Sequence, residues 1–424
     1  MMKKTFCVFS MVLVLVFFSS LSFGAGLILY EINSPLTGTA SAGWAALAED
    51  ASTAFTNPAG MTRLDRSQLL VGAQPLIITS EFNPSPATTF SGTDGGNAGG
   101  VIPSLGAYYV HSFSDRLKLG FSLLSYFGLG IDYGDDWVGR YYVEQSDFLT
   151  LTLSPSVAYK VNDWLSIGVM FNVLYSKLNS ESAIRNFLGG PDGQLKYSDD
   201  DFGFGGGLGL LIEPRKGTRL GVTYYSPVDV SFSDVPQLNG VGPVLGGLLS
   251  ILGLDGTSVG MEFTIPQWIM ASGYQQITDK LAIMGNFGWQ DWSQFGNVDI
   301  SLSVNPETPR RFNNQLGFKD TWHAAIGAQY RVSEAWLLSA GFAYDSSPSD
   351  ESNRSPDMPF DRNFRYSAGV QYDWSKNLTL GLAYVFIDLG SASINKQGFL
   401  RGNLVGDYSP NNVNVINLNL VYRF

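Results

Sequence analysis

The end of the chain carries the strictest pattern in the sequence. Alternate residues form an apolar face, made of Ile416, Leu418, Leu420, Tyr422 and Phe424. The residues between them form a more polar face, made of Asn417, Asn419, Val421 and Arg423. Successive side chains of a β-strand point to opposite faces, so this segment predicts a strand with one apolar side. A terminal aromatic residue in register with that side is typical of a membrane barrel that closes with its last strand.

The same alternation returns along the chain in a regular plan. Alternating segments of about ten residues, the length of a membrane-spanning strand, are joined in pairs by very short turns, and long loops separate the pairs. The turns are Ser114–Arg116, Asn162–Asp163, Pro214–Gly217, Thr278–Asp279, Ser333–Glu334 and Ser375–Lys376. With an opening strand near Leu69–Thr79 and the closing strand, the count is fourteen. We therefore predict an all-β fold, a transmembrane antiparallel β-barrel over residues 69–424. A soluble β-sandwich also alternates, but nothing in it requires the loops to be long at one end only.

The N-terminus has the features of a secretory signal peptide. Lys3 and Lys4 precede an apolar run from Val8 to Phe18, and small residues around Ser22–Gly24 suit cleavage after residue 24. A membrane anchor helix is the alternative, but the run is shorter than the roughly 20 residues that a span needs. Cys7 is the sole cysteine of the sequence, so residues 25–424 offer neither a disulfide nor a thiolate metal site.

Composition separates the classes of partner. The formal charge of −11 argues against nucleic acid, because binding to phosphates needs a basic surface. Tyr, Phe and Trp number 20, 28 and 9, and such a load suits the aromatic girdles of a barrel at the two membrane interfaces. We predict no cofactor and no metal. A membrane barrel is expected to have outer-membrane lipid as a partner and, through Phe424, the barrel-assembly machinery.

The segment before the first strand is rich in small residues, especially between Thr37 and Asp50. Fourteen strands enclose more space than their own side chains fill, so the lumen must be open or plugged. We predict that residues 25–68 form a plug in the lumen. A disordered periplasmic tail is the alternative, which the low charge and scattered apolar residues disfavour.

Several motifs, taken in order, resemble one family. The run Asp50–Gly60, which contains Asn57-Pro58-Ala59, resembles the plug motif of the FadL/TodX family of outer-membrane transporters for hydrophobic compounds. The mature N-terminus Ala25-Gly26 is similar as well. Further similar segments follow in the same order down the chain: Trp137–Tyr142, Ser154–Tyr159, Gly288–Phe295, Gly317–Trp322 and Gly341–Pro348.

The resemblance implies a function. In this family an amphipathic ligand is captured by an apolar groove among the extracellular loops and then passes to a lumenal pocket beside the plug. Plug movement and an inward kink of the third strand release it sideways into the membrane. The resemblance therefore implies passive uptake, most simply of long-chain fatty acids, with aromatic hydrocarbons as the alternative. It also implies a hydrophobic small molecule as partner, a monomer, and an outer-membrane location in a Gram-negative bacterium.

The loop Val241–Leu254 is too apolar for a surface loop without a binding role. It falls between the seventh and eighth predicted strands, where the family has half of its capture groove. The candidate contact residues are Val244, Leu245, Leu248, Leu249 and Leu252. Packing of the loop on its own barrel rim is the alternative.

A carboxylate ligand would need a cation. Lys177 falls where the family's fatty-acid carriers have a basic residue, and the strand phases direct His323, Arg331, Arg365 and Arg219 to the lumen. Asp345 matches an acidic family position and could pair with one of these bases. Structural pairing across the lumen is the alternative role for each of them. Asn313–Gln315 stands where the fatty-acid carriers have another base, and this departure favours an uncharged ligand.

Asn57, Pro58 and Ala59 are the candidate gating residues. Pro58 fixes its own backbone torsion and favours an extended Asn57, whose amide can satisfy nearby backbone groups. Such a corner could switch between two arrangements when ligand displaces part of the plug. A rigid turn is the alternative.

Catalysis finds little support in the sequence. A lipid hydrolase would need a serine and a histidine together on the outer face, whereas the phase of its strand directs His323 inward. Asp199–Asp201 lacks the spaced ligands and glycine of a calcium loop and is expected to be a solvated loop edge. The glycines of Gly203–Gly207 are expected to make room for the plug. We predict a protein that is not an enzyme, and a lipid hydrolase or an adhesive barrel as the alternatives from other classes.

Overall fold

The computed structural model describes residues 28–186, 190–251, 256–303 and 310–424. The predicted signal peptide, residues 1–24, therefore lies outside the described residues, as do residues 25–27 of the predicted plug. The strands are β1 (Gln68–Pro84), β2 (Gly100–Ser112), β3 (Leu117–Leu124), β4 (Gly128–Asp132), β5 (Gln145–Lys160), β6 (Leu165–Ile184), β7 (Gly193–Arg215), β8 (Thr218–Tyr225), β9 (Val228–Asp234), β10 (Gln237–Asn239), β11 (Ser258–Ile265), β12 (Trp268–Gln276), β13 (Leu281–Gln290), β14 (Asn297–Ser303), β15 (Arg310–Gln315), β16 (Thr321–Arg331), β17 (Trp336–Asp345), β18 (Asn363–Asp373), β19 (Leu378–Asp388), β20 (Ile394–Lys396) and β21 (Leu404–Arg423).

Fourteen antiparallel strands close into a barrel. β1 pairs with β2 on one side and with β21 on the other, so the first and last strands join. β3 and β4 are two parts of the third barrel strand, because both pair with β5. β9, β10, β11, β14, β15 and β20 lie outside this ring. The prediction of a fourteen-stranded antiparallel barrel is confirmed.

The six predicted turns each join two paired strands. They link β2 to β3, β5 to β6, β7 to β8, β12 to β13, β16 to β17 and β18 to β19. All six lie at one rim, which we call the turn side. The long connections lie at the other rim, the loop side, as predicted.

Alternating side chains give the barrel wall an exposed outer face and a buried inner face. In β6, Val169 and Phe171 are exposed on the outer face, while Met170 and Asn172 are buried. An apolar outer face is what a barrel needs in order to contact lipid, since lipid cannot satisfy polar groups. In the parts of the chain that the structure describes, no helix is both long and apolar enough to span a membrane.

The loop side carries its own small structures. β9, β11, β14 and β15 form a four-stranded sheet, and β9 lies against the inner side of β7. Asp199 and Asp201 of β7 accept hydrogen bonds from the backbone amides of Ser233 and Ser231 at 2.5 and 2.7 Å. The expectation of a loop edge is therefore wrong, because these aspartates lie within β7, whereas the expected solvation holds for Asp200, which is exposed. Their carboxylates supply acceptors to β9, which has no ladder partner on that side within the described ranges.

Residues 28–67, called here the N-terminal segment, are mostly buried and contact inward-facing side chains of the barrel wall, which is consistent with the predicted plug. A 3₁₀-helix (Pro35–Thr39), helix α1 (Thr53–Thr56) and a second 3₁₀-helix (Pro58–Arg63) make up its regular structure. Inward side chains of the wall hold its backbone. The amides of Gly43 and Ala45 donate to Asn286 and Ser272 at 2.8 and 2.9 Å.

Candidate functional site

The barrel wall has a gap in its hydrogen-bonded ladder beside the third strand. β3 pairs with β2 through Ala107–Ser112, whereas Gly100–Gly106 of β2 pair only with β1 among the described residues. Within the described ranges, β4 has a ladder with β5 alone. A backbone hydrogen bond from Asp132 to Ala98, at 2.8 Å, closes the loop-side end of this gap. No backbone ladder therefore joins β2 to β4 in the part of the chain that the structure describes.

The N-terminal segment meets the wall where the third strand is interrupted. Tyr126 and Phe127, between β3 and β4, turn inward and are both buried. The amide of Leu29 donates to the Tyr126 carbonyl at 2.8 Å, and Ile28 forms an antiparallel bridge with Phe127. The backbone groups at the interruption therefore pair with the N-terminal segment instead of with β2.

Two groups of aromatic rings lie on either side of this interruption. The inner aromatic cluster contains Tyr30, Trp44, Phe55, Tyr126, Tyr225 and Trp268. The outer aromatic cluster contains Phe127, Phe148, Phe232, Phe263, Trp292, Phe295 and Phe360. Tyr126 belongs to the first and its neighbour Phe127 to the second. Apolar surface therefore runs from the loop-side sheet to the N-terminal segment, with the interruption between the two clusters.

On the opposite wall, four ionisable side chains form a buried charged cluster. The Nδ1 atom of His323 lies 2.9 Å from the Asp345 carboxylate, and Asp345 also pairs with Arg365. The Nε atom of Arg365 lies 3.2 Å from the carboxylate of Glu31, which belongs to the N-terminal segment. The predicted pairing of Asp345 with a lumenal base is present. Burial raises the pKa of the neighbouring Tyr30 phenol above its usual value, so this group stays protonated.

The Asn57–Ala59 corner is fixed by its own amide and by the wall. Asn57 is extended, with φ −159° and ψ 101°, as the sequence predicts. Its Nδ2 donates to the Ala45 carbonyl at 2.7 Å and to the Leu210 carbonyl of β7 at 3.0 Å, while its Oδ1 accepts from the Ala59 amide at 3.1 Å.

Glycines of the wall make room for this corner. A Cβ atom at Gly168 or Gly209 would overlap the backbone and side-chain atoms of residues 57–59. The expectation that Gly203–Gly207 makes room for the plug is not met, since a Cβ at Gly203 or Gly205 would instead meet Val228 at the start of β9.

Two cavities adjoin the N-terminal segment. Beside the charged cluster, between Tyr30, Trp292 and Phe360, lies a cavity of about 10 Å³, which holds at most one water molecule. On the turn side of the N-terminal segment lies a second cavity of about 600 Å³. Charged side chains line it: Glu49, Asp50, Asp65, Arg66, Arg331, Glu334, Asp373, Lys376 and Arg423.

Comparison with known proteins identifies the family. A model of the family described as "Outer membrane protein transport protein (OMPP1/FadL/TodX)" matches residues 15–424. The chain belongs to this family. It is 27% identical to the long-chain fatty acid transport protein of Escherichia coli O6:H1 over 423 residues, 92% of each chain. It is 26% identical to outer membrane protein P1 of Haemophilus influenzae, covering 93% of this chain and 94% of that one.

Solved structures share the fold of the FadL/TodX chain described here. A Pseudomonas aeruginosa FadL homologue superposes with a TM-score of 0.85 at 22% identity, covering 94% of this chain and 100% of that one. The Ralstonia pickettii toluene transporter TbuX superposes with a TM-score of 0.67 at 19% identity, covering 92% and 97%. With the family, the location follows: this protein resides in the outer membrane of a Gram-negative bacterium.

The structure brings some of the predicted site residues together and separates others. His323 and Asp345 meet in the charged cluster, but Arg331 lies at the turn side, paired with Asp373 at 3.0 Å. Lys177 is exposed on the outer face of β6, beside Asp200 of β7. Neither Lys177 nor Arg331 is therefore near the charged cluster. Arg219 faces inward as predicted and pairs with Glu49 at 3.4 Å.

The apolar loop of this FadL/TodX chain contains a helix, α2 (Pro243–Ile251). Leu245 and Leu249 are buried in the main hydrophobic core, Leu248 is half-buried, and Val244 is exposed. Leu252 lies outside the described residues. Asn186, after β6, anchors the start of the helix by bonding Gly240 and Gly242 at 3.0 and 2.7 Å. The loop packs on its own rim and also presents Val244 and Ile251 outward, and its role in ligand capture stays a prediction.

Sequence reasoning missed Glu31 and the pair Tyr126 and Phe127. Glu31 stands alone among apolar and small residues, and an isolated acid in such a run is a signal for a buried partner. Tyr126 and Phe127 are consecutive aromatics, and two consecutive residues cannot both face inward in a regular strand. Consecutive aromatics alone are no signal, however, because Tyr108 and Tyr109 form such a pair within the regular strand β2.

Proposed function

We propose that this protein takes up hydrophobic compounds, foremost long-chain fatty acids, by passive passage through the outer membrane. The ligand is captured at the apolar loops, including α2, and moves along the outer aromatic cluster to the N-terminal segment. It then leaves sideways through the gap between β2 and β4. The relatives described above include a long-chain fatty acid transport protein and a toluene transporter, which supports both ligand classes.

The observation that carries this proposal is that three features lie together at the interrupted third strand. There the wall lacks a ladder, aromatic rings reach it from two sides, and residues 28–29 of the predicted plug hold it closed. A sealed adhesive barrel would have no use for such an interruption. We likewise propose that the protein is not an enzyme.

Aromatic hydrocarbon uptake is the second candidate, and the charges favour it. Arg219, His323, Arg331 and Arg365 each have a carboxylate partner among the described residues. A carboxylate ligand could reach one of these bases only by displacing the acid already paired with it, whereas an uncharged ligand needs no such exchange.

Uptake into liposomes tests the function directly. Purified protein in lipid vesicles should accelerate entry of labelled oleate, of toluene or of both over protein-free vesicles. Phospholipid hydrolysis by the same preparation would favour an enzyme. No acceleration of either compound by a correctly folded barrel would contradict the proposal.

The predicted gating corner yields a sharper test. Changing Asn57→Ala together with Pro58→Ala removes the hydrogen bonds that the Asn57 amide donates to Ala45 and Leu210, each worth about 0.5–1.5 kcal/mol. We expect altered uptake with the heat-resistant barrel intact on gel electrophoresis. Asn83→Ala, which removes a single exposed hydrogen bond to Ser409, is the matched control. Unchanged uptake in the double variant would make the corner structural only.

Two further partner assignments remain proposals. We propose that the protein is a monomer and that Phe424 is the residue recognised by the barrel-assembly machinery. Phe424 is more than half exposed and packs against Tyr109 and Tyr422 at the turn side, where a recognising protein can reach it.

A further inference from the structure

The carboxylate of Glu31 is buried and poorly held. Both Glu31 and Arg365 are about 1% exposed. Their 3.2 Å contact lacks hydrogen-bond geometry, and neither Glu31 oxygen has a hydrogen bond within the described residues. The Nε of Arg365 is likewise without one. A buried carboxylate without hydrogen bonds is costly to keep in place, although its charge pairing prevents a larger cost.

Asp345, the other carboxylate on Arg365, is held far more firmly. It belongs to the barrel wall, at the end of β17, and it pairs with His323 as well as with Arg365. Glu31 belongs to the N-terminal segment and has Arg365 as its single ion-pair partner among the described residues. Of the two acids, Glu31 is therefore the one that another carboxylate can replace.

The surroundings of Arg365 suit an amphiphile. The lining of the small cavity beside it combines polar side chains, such as Gln290 and Asn363, with Ile28 and Tyr30 of the N-terminal segment and the rings of Trp292 and Phe360. The last two rings belong to the outer aromatic cluster. A ligand with its charged end at Arg365 would place its apolar part among these rings, where burial of apolar surface stabilises it.

We propose that Arg365 is a head-group subsite, at which the carboxylate of a ligand replaces that of Glu31. This inference rests on the proposed function and specifies its ligand as a carboxylate amphiphile. The exchange keeps the charge beside Arg365 constant, so Glu31 can leave for water without stranding a buried cation. An uncharged ligand supplies no such replacement.

The exchange would also act on the wall. Ile28 and Leu29, which hold the interrupted third strand, are within three residues of Glu31. Once Glu31 leaves Arg365, the segment loses its contact with the charged cluster, and its hold on Tyr126 and Phe127 weakens. Ligand binding and release of the interruption are then coupled, because the ligand binds the released state better.

Glu31→Gln tests the exchange with almost no change of shape. Binding of radiolabelled laurate and of dodecanol, which share a chain length, is measured on the purified full barrel in one detergent, at a pH where laurate is ionised. We expect Kd for laurate to fall about tenfold, as for a competitor that occupies the site nine-tenths of the time. Kd for dodecanol should stay unchanged. Glu49→Gln is the matched control, since it removes another acid of the N-terminal segment, from Arg219.

The outcomes separate the inference from the proposed function. A fall in both Kd values by the same factor would overturn the head-group subsite and leave Glu31 a simple anchor of the segment. No change in either would overturn it as well, while wild-type binding of both ligands would leave the uptake proposal standing. If wild-type protein binds neither ligand, the uptake proposal fails and the inference with it.

A second measurement works on otherwise unchanged protein if Glu31→Gln does not fold. Residues 28–424 contain no cysteine, so Leu29→Cys introduces a single thiol there. Laurate should speed its reaction with a maleimide, and dodecanol at equal occupancy should not. Equal acceleration by the two ligands would overturn the exchange.

Discussion

The two walls that meet residues 28–31 are built in opposite ways. On the β16–β18 side the ladders run without interruption from the turns to Asp345 and Asn363, and the charged cluster sits at their end. On the β2–β4 side the ladder fails, and aromatic packing takes its place. Polar pairing depends strongly on geometry, whereas apolar packing tolerates rearrangement. The first wall is therefore suited to anchor the N-terminal segment and the second to open.

The largest expected effect is on the β16–β18 side of the barrel, called here the anchoring wall. Asp345→Asn removes the charge that pairs with both His323 and Arg365, and losing one partner of a buried ion pair costs about 5 kcal/mol at the upper end of the usual range. We expect this loss in the free energy of unfolding, measured by urea titration in lipid vesicles.

Asp373→Asn is the control for that prediction. Its pair with Arg331 is partly exposed, so the expected loss is about 0.2–1 kcal/mol. Equal losses in the two variants would mean that the charged cluster is no special anchor.

The next largest expected effect is on the β2–β4 side of the barrel, called here the opening wall. Phe127 is fully buried against Phe148, Trp292 and Phe295, so Phe127→Ala should cost about 3 kcal/mol. Because the space left adjoins the gap, we also expect faster uptake of oleate and toluene in vesicles.

Phe121→Ala is the matched control, since Phe121 lies on β3 with 42% of its surface exposed on the outer face. Its effect on uptake should be negligible. Slower uptake in Phe127→Ala would mean that the ring guides ligand instead of blocking it.

The smallest effect concerns the loop-side end of the opening wall. Glu144 lies between β4 and β5, and burial raises its pKa to about 7 despite a hydrogen bond from Gln194. Asp135 and Glu181 raise it further, and Lys196 opposes them. A raised pKa means that folding favours the protonated acid, so its stabilisation is present below about pH 4.5 and is lost as pH rises through about 7.

The urea midpoint of the wild type should therefore fall slightly as pH rises through this window. In Glu144→Gln that part of the pH dependence should vanish. The same pH profile in both proteins would show that Glu144 is ionised throughout.

Much of the fold could be predicted because its rules are local. Strand alternation and turn residues depend on neighbours in sequence, and they gave the fourteen strands and the inward positions of His323, Arg365 and Arg219. The same rule also places Lys177 outward, since it continues the odd-numbered apolar series of β6. Lys177 was predicted as a ligand-binding residue from its family position, although its strand phase places it on the outer face and not in the lumen.

The charged cluster and the interruption depend on long-range contacts. Glu31 and Arg365 are joined only because the N-terminal segment folds back inside the closed ring. The interruption at Tyr126 and Phe127 is stable because Ile28 and Leu29 supply the missing backbone partners, and no local pattern near residue 126 contains that information.

The charged cavity of about 600 Å³ on the turn side has a consequence for where the proposed uptake would deliver an apolar molecule. Moving one methylene group from an apolar site into such a wet, ionic cavity costs about 0.8 kcal/mol of free energy. A long alkyl chain therefore faces a steep uphill gradient towards the periplasm and a nearly level one towards the bilayer core. The direction of delivery would then need no energy source, because the lumen on the turn side is a poorer solvent for the cargo than the membrane around it.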